Sequence, residues 1–181
     1  MKKNVLVFGL IAGAIVSAFM AVTIGNCSDH PEDYANHMLL GYASMLVAFS
    51  FVFVGIKNYR DKYNGGLITF GKAFKVGIFI SLIASTLYVI TWMIMFNLFI
   101  PDFMDKYSAN MLKQAQESGA SAAEITAKTE EMATYKEMYK SPLMIVLLTY
   151  AEILPVGLLV TLISAFILKR KTMRGSEAAV V

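Results

Sequence analysis

Four stretches of this chain run long without charge. Asn4 to Ile24 gives 21 residues, Met38 to Ile56 gives 19 and Val76 to Ile100 gives 25, none of them charged. Leu143 to Leu168 gives 26 with a single acid, Glu152. A hydrocarbon core of about 30 Å takes roughly 20 helical residues, so each stretch is long enough to span a bilayer. Between the last two lies a segment of different pattern, Pro101 to Pro142. Asp102 opens a helix there in which Phe103, Tyr107, Met111 and Ala115 share a face, and Ser118-Gly119-Ala120-Ser121 breaks it. Ser121-Ala122-Ala123-Glu124 reads as a capping box opening a second helix, with Ile125, Met132, Tyr135 and Tyr139 on its apolar side. Pro142 suits the first turn of the last span.

The pattern predicts an all-α fold: an integral membrane four-helix bundle filling one domain over residues 1–171. Its spans are expected at about 4–24, 38–56, 76–100 and 143–168. An extracytoplasmic amphipathic hairpin, 102–140, lies between the third and fourth spans, and a short cytoplasmic tail covers 172–181. The hairpin can cap the outer mouth of the bundle, lie on the membrane or bind a partner.

Composition agrees. Hydrophobic residues make up 57% and charged residues 16%, against about 45–50% and 25% in soluble domains. Charge then orients the chain. The N-terminus, the 57–75 loop and the tail hold 11 basic and 2 acidic residues; the other two loops hold 5 and 10. Basic segments resist translocation, so both termini are expected on the cytoplasmic side. Lys57, Arg60, Lys62, Lys72, Lys75, Lys169, Arg170 and Lys171 are then expected to meet anionic lipid headgroups. Being strung along membrane edges, they do not make a nucleic-acid surface. Within the basic loop, Asn64-Gly65-Gly66 should turn the chain and Thr69 should cap the next helix.

Small residues recur every fourth position in the first span, at Gly9, Gly13, Ser17, Ala21 and Gly25, which puts them on one face where two backbones can approach closely. The partner of that stripe is either another helix of this chain or a second copy, giving a homo-oligomer or a contact with another membrane protein. Shorter stripes occur at Gly77, Ser81 and Ser85 and at Gly157, Thr161 and Ala165.

Glu152 is the only charged residue inside a span, and such residues mark functional sites by default. A 20-residue span ending near Leu168 leaves it roughly 5 Å below the outer interface. Pro155 removes a helical hydrogen bond to Ala151, so trapped water near the carboxylate is an expectation. Tyr150, Thr149 and Ser and Tyr groups of the second and third spans are its expected companions. The alternative is a carboxylate satisfied by a hydroxyl or by water near the surface.

The first loop gathers Cys27, Asp29, His30, Glu32, Asp33 and His37, each able to ligate a metal, but at spacings that match no zinc pattern. One cysteine excludes an internal disulfide. Ile24-Gly25-Asn26-Cys27 approaches a lipoprotein cleavage box, yet the Asn before the cysteine and the length of the first block favour a retained helix. The methionines sit singly in apolar stripes, as gap fillers. No glycine-rich phosphate loop and no nucleophile–base set can be assembled, so neither catalysis nor a cofactor is expected.

The runs Gly41-Tyr42-Ala43-Ser44-Met45, Phe53-Val54-Gly55-Ile56, Tyr59-Arg60-Asp61 and Gly66-Leu67-Ile68-Thr69-Phe70-Gly71-Lys72-Ala73-Phe74-Lys75-Val76-Gly77 point to a family. With Pro155-Val156-Gly157-Leu158-Leu159 and Ser164-Ala165-Phe166-Ile167-Leu168-Lys169-Arg170-Lys171, the chain resembles the bacterial family catalogued as domain of unknown function 4199. The resemblance covers about residues 1–171, and Gly-x-Ile-Thr-Phe-x-x-Ala-Phe is its most specific part. It implies a four-helix inner-membrane protein with a helical insert before the last helix, and no functional residues. From the residues, the expectation is a non-enzymatic accessory or assembly component acting through helix packing and its hairpin. The alternative is a small transporter or ion-coupled permease using Glu152.

Overall fold

The computed structural model describes residues 1–29 and 34–170, with side-chain surroundings for 1–24 and 39–170. The chain is 87% helical and has no strand among the described residues. Its α-helices are α1 (Lys2–Asp29), α2 (Tyr34–Asn58), α3 (Phe70–Leu98), α4 (Phe103–Glu117), α5 (Ala122–Met138) and α6 (Pro142–Leu168). A π-helical turn, Tyr59–Tyr63, continues α2. Four segments, Lys2–Ile24, Leu39–Tyr63, Phe70–Leu98 and Pro142–Leu168, are long and apolar enough to cross a membrane.

The helices outrun the charge-free blocks. α3 begins at Phe70, six residues before Val76, because Thr69 caps it, its hydroxyl accepting from the Lys72 N–H at 3.4 Å. Lys72 and Lys75 are exposed in those first turns, and long cationic stems can reach water from within a helix end.

α1, α3, α6 and α2 pack side by side in that cyclic order, with α2 and α3 also touching across the middle. Small and weakly polar residues share the interior with large apolar ones such as Phe49, Ile56, Ile80 and Ile153. Gly9, Gly13, Gly77, Ser81, Ser85, Gly157, Thr161 and Ser164 are buried, while Leu10, Leu158, Leu159, Phe166 and Ile167 face outward. Small residues at the contacts suit helices in lipid, where close backbones gain dispersion contacts.

The glycine stripe of α1 is occupied within the chain. A Cβ on Gly9 would stand 2.7 Å from Ile83 Cβ, and one on Gly13 would stand 3.1 Å from Ala84 Cα, both on α3. Ser17 and Ala21 continue the face half-buried, and Gly25 lies outside the residues whose surroundings are described. The shorter stripes of α3 and α6 meet each other. A Cβ on Gly77 would lie 2.7 Å from Thr161 Cγ2, and Ser81 donates to the Gly157 carbonyl at 3.2 Å.

The 59–69 segment is a packed clasp. Gly65 and Gly66 take φ of +61° and +77°, the conformation only glycine adopts freely, and turn the chain. Ile68, 1% exposed, then exchanges two backbone hydrogen bonds with Arg170, of 3.0 and 2.8 Å. Arg60 reaches the Leu168 carbonyl at 3.5 Å, and Asn64 donates to the Leu67 carbonyl while accepting from Lys72 Nζ at 2.6 Å. The loop between α2 and α3 is thereby tied to the end of α6.

At the other end α4 and α5 form a hairpin, closed at Gly119 (φ +78°) and linked by Lys136 to Asp105 at 2.7 Å. Its stripe sits one residue from the expected register: Met104 and Ser108 are buried, with Phe103, Tyr107, Met111 and Ala115 half-buried beside them. On α5 only Met132 is buried. Aromatic rings seat the hairpin on the long helices, Phe103 edge-on to Trp92 at 4.9 Å and Tyr139 edge-on to Phe96 at 5.5 Å.

Candidate functional site

Under the hairpin the long helices line a half-open cavity of about 640 Å³. Each wall follows from local sequence. α6 supplies Leu148, Thr149 and Glu152, spaced three and four apart and so on one helix face. α2 supplies Tyr42, Ser44 and Met45; α3 supplies Tyr88 and Trp92; α1 supplies Met20, Thr23 and Ile24. The hairpin closes the space with Phe103, Met104, Lys106, Tyr107, Asn110 and Tyr135, and Tyr139 beside it.

Glu152 is exposed and lines this cavity. Among the described residues no hydrogen bond or ion pair holds it. Thr149, one helical turn away, spends its hydroxyl proton on the Ile145 carbonyl at 2.7 Å. Lys106 is held by Asp102 at 2.9 Å, and its ammonium keeps the Asp102 carboxyl below the usual carboxylate range. Lys106, the cation that lines the cavity, is therefore matched within the hairpin, and Glu152 is not.

The hydroxyl of Tyr139 is pushed up to about 12, first by burial and then by the charge of Glu152. Burial raises Tyr107 as well. Both rings thus stay neutral at neutral pH, with Tyr139 close enough to feel the carboxylate. Such walls suit a ligand with an apolar body and one polar head.

The expected companions of Glu152 divide. Thr149, Ser44, Tyr42 and Tyr88 line its cavity, but Tyr150 does not. Its hydroxyl lies 2.8 Å from Thr86 Oγ1, in a separate apolar groove on the outer side of α3 and α6 that also includes Ile94, Asn97 and Val146. The reason is helical geometry: two residues apart means about 200° of rotation, nearly the opposite face. Pro155 is exposed inside α6 and is not part of the cavity wall. Trp92 and the hairpin tyrosines are contributors that the sequence alone did not bring to Glu152. Their spacing carried a signal, an aromatic stripe on each hairpin helix, but not where the stripe lands.

Of the basic residues, Lys57, Lys62, Lys72, Lys75 and Lys169 are exposed near the clasp, with Lys169 Nζ 3.8 Å above the Phe166 ring. Arg60 is committed to Asp61 at 2.6 Å. Arg170 is half-buried in the clasp, and Lys171 and the tail lie outside the described residues. The side chains of Cys27, Asp29, His30, Glu32, Asp33 and His37 also lie outside them. Among the described residues no three His, Cys, Asp or Glu side chains gather where they could hold a metal ion.

No curated protein and no solved structure matches the chain. A family model does, over residues 7–170, and the chain belongs to that family, described as protein of unknown function (DUF4199).

Proposed function

We propose that this is a multi-pass protein of the bacterial inner membrane that acts as a small permease through the Glu152 cavity. The charge asymmetry supports an orientation with both termini and the basic clasp in the cytoplasm and the hairpin outside. In that orientation the cavity lies toward the outer face, roofed by α4 and α5. One observation carries the reading: the lone intramembrane carboxylate lines a cavity beneath the hairpin and has no partner among the described residues. A carboxylate in such a place exchanges a proton or a cation with whatever enters, which is the elementary step of coupled transport. The role is non-enzymatic.

The test is uptake. Vesicles containing the reconstituted protein and a trapped pH dye are challenged with a panel of small polar solutes under an imposed proton gradient. At least one solute should change the internal pH, and Glu152→Gln should abolish the change. If no solute in the panel gives a Glu152-dependent signal, the permease reading is lost.

The second reading, an accessory or assembly component, rests on the open, almost wholly apolar groove between α3 and α6. The α1 stripe no longer speaks for a partner, because α3 occupies it. Crosslinking from the groove in native membranes should capture a second chain on this reading; recovery of monomer alone would remove it.

A further inference from the structure

The chemistry of the cavity wall restricts what it can hold. Among the described residues its charged groups are Glu152 and Lys106, and Lys106 is neutralised by Asp102. The remaining charge is one carboxylate. A divalent ion held by protein side chains usually draws on several His, Cys, Asp or Glu, and no three of these gather among the described residues. An anion would meet Glu152 with no free cation to offset it. A neutral solute that displaced water from the carboxylate would leave it unpaired, which is costly.

Aromatic rings dominate the rest. Trp92 and Phe103 stand edge to face at 4.9 Å, and Tyr139 lies 6.4 Å from Phe103, with Tyr88 and Tyr42 on the facing helices. Ring faces attract organic cations, strongly so when both are out of bulk water. The volume, about 640 Å³, falls in the range of about 300–1,000 Å³ typical of small-molecule sites.

We propose that this cavity binds a monovalent organic cation, its ammonium head at Glu152 and its apolar body among Trp92, Phe103, Tyr88 and Tyr139. The proposal deepens the permease reading by naming the substrate class, and it rests on the same cavity being the working site.

The chain carries its own probe, since Trp92 is its single tryptophan. Full-length protein in a neutral detergent is titrated with benzyltrimethylammonium, with its neutral carbon isostere and with phenylacetate, following Trp92 emission and, independently, heat. The cation should bind saturably, and the isostere and phenylacetate at least about tenfold more weakly. Glu152→Gln should weaken the cation about tenfold or more, and Glu152→Asp by less, while both variants elute and unfold as the parent does. Tyr139→Leu should weaken it a few-fold by removing a ring. Equal binding of cation and isostere, or no loss in Glu152→Gln, overturns the proposal.

The two readings separate cleanly. Cation binding without any solute flux upholds this site and removes the permease. Glu152-dependent flux of another solute, with no cation binding, upholds the permease and removes this ligand class.

Discussion

The hydroxyl of Ser81, midway along α3, donates to the backbone carbonyl of Gly157 on α6 at 3.2 Å and lies 3.0 Å from the hydroxyl of Thr161. A serine can reach a carbonyl on the next helix only where that helix offers no side chain in between. A Cβ at Gly157 would stand 2.9 Å from Phe49 Cζ and 3.0 Å from Ser81 Cβ, and Phe49 is wholly buried and cannot yield. The absent methyl group at 157 is therefore what lets α2, α3 and α6 close on one another.

Gly157→Ala and Gly71→Ala should accordingly have opposite signs. Alanine improves a helix by about 0.5–1 kcal/mol over glycine. Gly71, in the first turn of α3, has open space around it and should show that gain. At Gly157 overpacking costs about 1–3 kcal/mol and outweighs it, leaving a net loss of about 1 kcal/mol. Thermal unfolding in detergent measures both. Two stabilised variants would mean that the α3–α6 contact is looser than described.

The clasp predicts a coupling between distant parts of the chain. Ile68 is buried in the core and paired through its backbone to Arg170, over a hundred residues later. Ile68→Ala should cost about 2–5 kcal/mol. It should also speed tryptic cleavage after Arg60, whose guanidinium loses a fixed Leu168 carbonyl to hold. Destabilisation with no change in cleavage there would show that the loop is held by something other than its tie to α6.

The second hairpin helix should respond to acid at its start. Glu124 accepts from the Ser121 N–H at 2.7 Å and from its hydroxyl at 2.8 Å, and these bonds, the backbone one first, hold the carboxyl below its ordinary value of 4.5. A carboxyl depressed on folding contributes stability above its ordinary value, and loses it as pH falls through the lower folded value. Hydrogen exchange in the first turn of α5 should therefore quicken below about pH 4.5, beyond its intrinsic pH dependence, while the rest of α5 stays protected. Ser121→Ala should quicken it at neutral pH about fivefold, as loss of a cap worth about 1 kcal/mol implies. Protection indifferent to both changes would exclude the capping box.

Much of this architecture was legible in the sequence, because length and charge act locally. Twenty uncharged residues make a span wherever they stand, and Thr69 and Ser121 cap the helices they precede. Which faces meet was not legible. The stripes Gly77–Ser81–Ser85 and Gly157–Thr161–Ala165 were visible separately, but their mutual contact depends on how α6 returns after the hairpin. Tyr150 was placed with Glu152 by nearness in sequence, and two steps of helix carried it to the other side. Tyr107 and Tyr139 read as amphipathic stripes whose target only the packed chain supplies. Loop 57–75 read as a headgroup surface because its lysines dominate it, while Ile68 and Arg60, which tie it to α6, are single residues in a basic background.

Tyr139 offers a direct measure of the cavity's charge. Its hydroxyl is raised from the ordinary 10.0 to about 12 by burial first, then by Glu152, with Tyr107 adding and Trp92 opposing. A phenol raised on folding contributes stability that is whole below pH 10 and is lost as pH rises through about 12. The protein should therefore lose stability across that window, and less of it in Tyr139→Phe. Phenolate absorbance in rapid pH jumps, taken as the difference between parent and Tyr139→Phe, gives the midpoint of this one ring. Glu152→Gln should lower that midpoint without returning it to 10, because the charge goes and the burial stays. A midpoint unmoved by Glu152→Gln would mean that the carboxylate does not face the hairpin ring, and the cavity would lose the one unmatched charge among its described residues.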